Sequence, residues 1–207
     1  MVTGKAGTGE RAPAAGPVWF KPELVGTPQA LTLGQLEYYK RNWEAKDLAM
    51  YHPGQTWLLG YAIPPFQRPL VWSEEQKVRF VESAARGLHL GTWVYNDAMG
   101  FGMEQVEGRE VMPRTDRWLI DGQQRLNALD EFFDDKFPVF GLTWSQVPQT
   151  ERRRFLNQNF AAQQIQSSDE MELRRLYDRL NFGGTPHTPD QRAVPVEEDE
   201  PAGPAFR

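Results

Sequence analysis

The chain has 207 residues, enough for one domain and short for two, and its lack of cysteine excludes disulfides and thiolate chemistry. Apolar residues make up 40% and aromatic residues 12%, with seven tryptophans, so a packed core is expected and a mostly unstructured chain is excluded. Net charge is −5, but without residues 197–207, which hold four acids and Arg207, the remainder carries only −2; this excludes a globally basic nucleic-acid binder while leaving room for a local basic groove.

In chain order, residues 1–29 read as a disordered tail, Gly/Ala/Pro-rich at its start and without the apolar stretch of a signal peptide. Its "GKAGTGE" has the letters of a phosphate loop in the wrong order, with no strand before it. A domain is expected over 30–194. A helix is predicted over 32–50, capped by Thr32 with Gln35 three residues on, and presenting Leu36, Tyr39 and Trp43. "WLLGYAI" (57–63) reads as a strand. "PPFQRPLVW" (64–72) is extended and stiffened by three prolines. Ser73 caps the next helix, with Gln76 completing a capping box, a stripe of Val78, Val81, Ala85 and Leu88, and Gly87 at its end.

"GTWVYND" (91–97) is a short strand, and 98–114 is a loop of undetermined form. "WLIDGQQRLNALDEFF" (118–133) is a buried strand end, a tight polar turn and a helix carrying Leu126, Leu129, Phe132 and Phe133. "FPVF" (137–140) and "FAAQQIQ" (160–166) read as strands. Residues 149–157 and 169–180 read as helices, the second bearing Leu173, Leu176, Tyr177 and Leu180. "NFGGTPHTPDQRAV" turns through Gly183 and Gly184 toward a helix start at Thr188 and Pro189. Residues 195–207 form an acidic tail, expected to be disordered. Short strands mixed with helices, without regular alternation, indicate an α+β fold. No apolar run approaches the roughly 18 residues of a membrane span, so no membrane partner and a cytoplasmic location are expected, the host cytoplasm if the gene is phage-borne.

Chemistry concentrates in two Gln-Arg pairs, each in stiff backbone. Arg68 follows Gln67 and precedes Pro69. Arg125 follows Gln124 in the first turn of a helix, where the helix dipole disfavours a cation. Two readings of the Asp121–Arg125 turn stand side by side. In one, Asp121 caps the helix, Gln124 completes a capping box, and the arginine makes surface ion pairs. In the other, Asp121, the amides and Arg125 converge on a Mg²⁺-bound phosphate at a helix N-terminus. Trp72 could stack on a base or pack in the core, and Arg152–Arg154 could touch DNA phosphates or form a solvated face. Asn181 with the glycines after it could form a second wall of the site or an ordinary helix end. His52, His89 and His187 are scattered, with no metal-ligand spacing, although His187 could approach the turn.

Taken together and in order, "YAIPPFQRPLVWSEEQ", "IDGQQRLNAL" and "RLNFGGTPHTPDQRA" resemble the motifs of the GmrSD-type N-terminal domain family of the ParB/sulfiredoxin-like superfamily, over roughly 57–194. The resemblance implies a small mixed sheet with flanking helices and work with nucleotides on DNA, in restriction, phosphorothioate-sensing or phage modification systems. It implies Asp121, Arg125 and Arg68 as catalytic residues, Asp121 as Mg²⁺ ligand, and Gln67, Gly122, Gln123, Gln124 and Asn181 as nucleotide contacts. NTP (ATP or GTP) and Mg²⁺ are the implied cofactors. DNA, modified at its bases, is the implied partner, beside a separate nuclease or base-modifying enzymes. Restriction members carry a second half with an HNH-type nuclease; this sequence stops about where the first half does, which argues against a nuclease acting alone. Three functions remain: an NTP-dependent kinase of a hydroxymethyl-type base in DNA, an NTPase sensor gating a nuclease, and a non-enzymatic DNA-binding module.

Overall fold

The computed structural model describes residues 24, 26–42 and 50–182. The expectations for Trp43, for Gly183, Gly184, His187, Thr188 and Pro189, and for the acidic tail lie outside the described residues. Along the chain run β1 (Thr27–Thr32), α1 (Leu33–Asn42), β2 (Thr56–Leu58), β3 (Tyr61–Ile63), α2 (Glu74–Ala85), β4 (Trp93–Asn96), β5 (Glu104–Val106), β6 (Arg109–Val111), β7 (Leu119–Asp121), α3 (Gln123–Phe133), α4 (Gln149–Leu156), β8 (Asn159–Ile165) and α5 (Glu170–Phe182). The main sheet has the order β1-β8-β4-β7. β8 pairs antiparallel with β1 and parallel with β4, and β4 pairs antiparallel with β7. The α+β expectation holds.

Side chains alternate across each strand and build a core on both faces of this sheet. Trp93, Leu119, Phe160 and Ala162 face the larger cluster, where helices α1 to α4 contribute Leu36, Val81, Leu126, Leu129 and Phe155. Val94, Ile120 and Ile165 face the smaller one, covered by Leu173 and Tyr177 of α5 and by Phe66. The proline-rich segment joins the two layers: its Phe66 packs against the smaller cluster and its Trp72 against the larger. It therefore passes the end of β7, where the chain turns into α3.

Two of the three capping boxes read from the sequence form, those at Thr32 and Ser73. The Thr32 N–H donates to Gln35 Oε1 at 2.8 Å and the Gln35 N–H to Thr32 Oγ1 at 3.2 Å. Ser73 and Gln76 close the same reciprocal pair. Other readings are corrected. β1 enters the sheet from Thr27, ahead of the expected domain start at residue 30, because its backbone pairs with β8 from Gln164 onward. "WLLGYAI" is a hairpin, turning at Leu59 (φ 51°) and Gly60 (φ 80°); both central residues have positive φ, as a tight two-residue hairpin turn needs. A Cβ on Gly60 would stand 2.7 Å from Tyr39 Cβ, so only glycine fits there. The 98–114 segment holds a 3₁₀ turn at Met99–Phe101 and the β5–β6 hairpin. "FPVF" is reduced to a single bridge between Val139 and Leu142 around a turn at Phe140 and Gly141.

Candidate phosphate-binding cleft

β7 delivers Asp121 at its C-terminal end, and Gly122 then turns the chain into α3 with φ 103°. A Cβ on Gly122 would lie 2.6 Å from Trp93 Cβ, so this turn requires glycine for both conformation and space. Gly122 is itself the N-cap residue, and no side chain caps the helix. The capping reading of Asp121 is thus overturned, because the left-handed Gly122 takes the cap position and leaves Asp121 one residue ahead of it. Its Oδ2 instead accepts from Arg125 Nη2 at 2.7 Å. The expected box partner Gln124 is likewise redirected. Gln124 Oε1 accepts from the backbone N–H groups of Val71 (2.9 Å) and Trp72 (3.2 Å), while its Nε2 donates to the Pro69 carbonyl at 3.1 Å.

Gln67 makes the converse link. Its Nε2 donates to the Leu119 carbonyl at 2.6 Å and the Ile120 carbonyl at 3.2 Å. The two glutamines stitch the proline-rich segment to the strand–helix turn from opposite sides, with their amides spent on backbone groups. A third tie comes from α5, where buried Tyr177 accepts the Arg68 N–H on its hydroxyl oxygen at 3.2 Å. Burial pushes the Tyr177 hydroxyl above its ordinary pKa, against the opposing effect of the Arg68 N–H and guanidinium. Tyr177 stays a neutral hydroxyl whose own proton remains to donate.

Gln67, Arg68, Trp72, Asp121, Gly122, Gln123, Gln124, Arg125 and Asn181 line one cleft of about 80 Å³. All eight site residues expected from the sequence are therefore neighbours in space, although Arg68 and Arg125 are far apart in the chain. Their environments differ. Arg125 is committed: beside its ion pair with Asp121, its Nη1 donates to the Thr92 carbonyl at 3.0 Å and the Leu90 carbonyl at 3.3 Å. Gly91 makes room for it, since a Cβ there would stand 2.8 Å from Arg125 Nη1. Half-buried Arg68 has no hydrogen-bond or ion-pair partner for its guanidinium among the described residues. Gln123 Oε1 is buried and also without a partner. Asn181 donates to the Tyr177 carbonyl at 2.8 Å, as a helix-end asparagine can, and lines the cleft as well. Trp72 takes its core-packing reading, half-buried against Phe80 with ring centroids 5.7 Å apart, and also lines the cleft.

The cleft thus brings together an uncapped helix start and a partnerless guanidinium, both of which attract anions in general. Sequence reasoning missed Tyr177, because an apolar stripe accounts for a tyrosine as readily as for a leucine. The arginine run on α4 divides, with Arg153 and Arg154 on the solvated face and Arg152 half-buried. Arg152 is turned inward to the carbonyls of Val147 (2.7 Å) and Ser145 (2.6 Å), and Arg154 pairs with Glu151 at 2.7 Å. Among the histidines, His52 pairs with Glu104 at 2.6 Å and His89 accepts from the Gly91 N–H; His187 lies outside the described residues. No group of three or more His, Cys, Asp or Glu capable of holding a metal occurs among the described residues.

The family model described as GmrSD restriction endonuclease, N-terminal domain, matches residues 49–191, a span that includes every residue of the cleft. The chain belongs to that family. Membership in the GmrSD N-terminal domain family sets it in a restriction and modification-defence context, with DNA as the expected partner. No curated protein and no solved structure gives a significant match. No helix among the described residues is long and apolar enough to cross a membrane.

Proposed function

We propose that this chain handles the phosphoryl group of an NTP at the Asp121–Arg125 turn, in the service of DNA restriction or modification defence. One observation carries the reading: Arg68 is fixed by its neighbours' backbone bonds, yet its guanidinium is uncommitted and lines the cleft at the uncapped start of α3. Arg68 is the residue to grip a phosphate through its planar fork. Arg125 holds Asp121 in place, and the first-turn N–H groups of α3 face the phosphate as a preformed anion site.

The cleft fits one phosphate group and is small for a whole nucleotide, since ligand pockets run to about 300–1,000 Å³; the base and ribose would lie beyond the described walls. Asp121 fits Mg²⁺ as a lone protein ligand through Oδ1, because Oδ2 is taken by Arg125 and Mg²⁺ sites commonly use one or two carboxylates beside phosphate and water. When bound, the metal would neutralise charge on the transferring phosphoryl group. The family description, a restriction endonuclease, favours water as acceptor, with hydrolysis gating attack on DNA. Transfer to a hydroxymethyl-type base is the second reading, favoured by the same cleft if a DNA hydroxyl replaces the water.

The test incubates the protein with γ-labelled ATP or GTP, Mg²⁺, and plain or hydroxymethylated DNA. Label in free phosphate supports hydrolysis, and label in DNA supports transfer. Arg68→Lys should lower either by about tenfold or more at unchanged melting temperature. Label in neither product, from protein of native melting temperature, would overturn the proposal.

A further inference from the structure

The largest cavity among those described lies away from the phosphate cleft, toward the C-terminal half of α3. It is a groove of about 660 Å³ between α2, α3, α4 and the 139–148 connection. Val81, Phe132, Val139 and Phe155 give it an apolar wall, and exposed Phe140 and Leu142 stand at its edge. Trp144 also lines it. Its indole is buried, only 3% exposed, and the Nε1–H has no hydrogen-bond partner. A buried donor left unsatisfied costs free energy and marks a place where an acceptor belongs.

Charge at the rim gives that acceptor a sign. Arg154 and Glu151 line the groove together and neutralise each other at 2.7 Å. Arg86 is left as the net charge. Its only ion pair among the described residues, to Glu82, is at 4.0 Å, and its guanidinium lies over the Phe140 ring 5.3 Å from the centroid, so its edge can turn to a ligand. We infer that this groove binds a small amphipathic organic anion. The apolar body lies against Val81, Phe132 and Phe155, the carboxylate or sulfonate pairs with Arg86, and an acceptor oxygen takes the Trp144 N–H. The volume is that of ligand pockets and is more than a single protruding side chain would fill. The inference uses no residue of the phosphate cleft and does not depend on the proposed reaction.

The test titrates the full chain with anilinonaphthalene sulfonate and, by calorimetry, with dodecanoate. Saturable one-to-one binding that weakens with added salt is expected. Arg86→Gln, at an exposed position, should weaken it about threefold to tenfold at an unchanged urea midpoint, and Trp144→Phe should do the same by removing the donor while keeping an aromatic ring. If Trp144→Phe fails to fold, Arg86→Gln with Phe140→Ala decides. Absence of saturable binding, affinity unchanged in the folded variants, or uptake of an acidic peptide in place of both small anions would overturn the inference.

Discussion

Gln124→Ala isolates the bond set that shapes the cleft. Gln124 is 6% exposed and makes three hydrogen bonds to the backbone of Pro69, Val71 and Trp72. At about 0.5–1.5 kcal/mol net for each, their loss costs about 1.5–4.5 kcal/mol. Val71 is exposed, so water can reach its freed N–H, which draws the expectation toward about 2–3 kcal/mol. Alanine's higher helix propensity returns only a few tenths. In a domain of this size the melting temperature should fall by about 4–12 °C, at about 2–4 °C per kcal/mol. Gln124→Glu keeps the acceptor and loses the donor to Pro69, so a smaller loss of about 1–2 kcal/mol is expected. Urea unfolding gives both values, and amide exchange at Val71 and Trp72 should accelerate in the alanine variant. A double-mutant cycle with Gln67→Ala should show coupling above about 0.5 kcal/mol, because both side chains hold the same segment. A loss under 1 kcal/mol, or strict additivity, would refute the claim that the glutamines are the ties of this cleft.

Gly122→Ala should destabilise by about 2–4 kcal/mol, from positive φ and from overlap with Trp93, read as a lowered urea midpoint. Tyr177→Phe should cost about 1 kcal/mol in stability, and should speed amide exchange at Arg68 whether or not the chain turns over nucleotide. For Asp116, 3% exposed, burial raises the carboxyl above its ordinary 3.8, against the opposing hydrogen bond from the Ala98 N–H. The folded value then exceeds the unfolded one, so this group makes stability fall as pH rises from 3.8 through the folded pKa and stay level above it. Asp116→Asn should remove that slope, seen as a gap between variant and parent urea midpoints that widens across the same window.

What the sequence conveyed follows from how local each signal is. Capping boxes at Thr32 and Ser73 involve four consecutive residues and form as read. At Asp121 and Gln124 the same pattern does not close, because the αL glycine moves the helix start one residue on and Gln124 bonds the proline-rich segment instead. "WLLGYAI" hid its turn because Leu59 takes positive φ while fully buried, a cost offset by the core it fills and invisible in a run of apolar letters. Sheet order depends on β8, more than 120 residues after β1, returning between β1 and β4, which no local pattern encodes.

The two Gln-Arg pairs look equivalent as sequence, each a donor-rich dipeptide in stiff backbone. In three dimensions the labour is divided twice over. Each glutamine bonds to the backbone of the other's strand or segment, since an amide has both the donor and the acceptor that backbone stitching requires. The arginines then part company. Arg125 follows a helix start and meets Asp121 one turn back in the chain, so its charge is answered before any ligand arrives. Arg68 faces a cleft whose lining acid, Asp121, is already paired with Arg125, so its charge is not answered among the described residues. A half-buried guanidinium in that condition is costly unless an anion joins it. In the function we propose, that asymmetry puts the anion on Arg68 and makes the Asp121–Arg125 pair the fixed wall beside it.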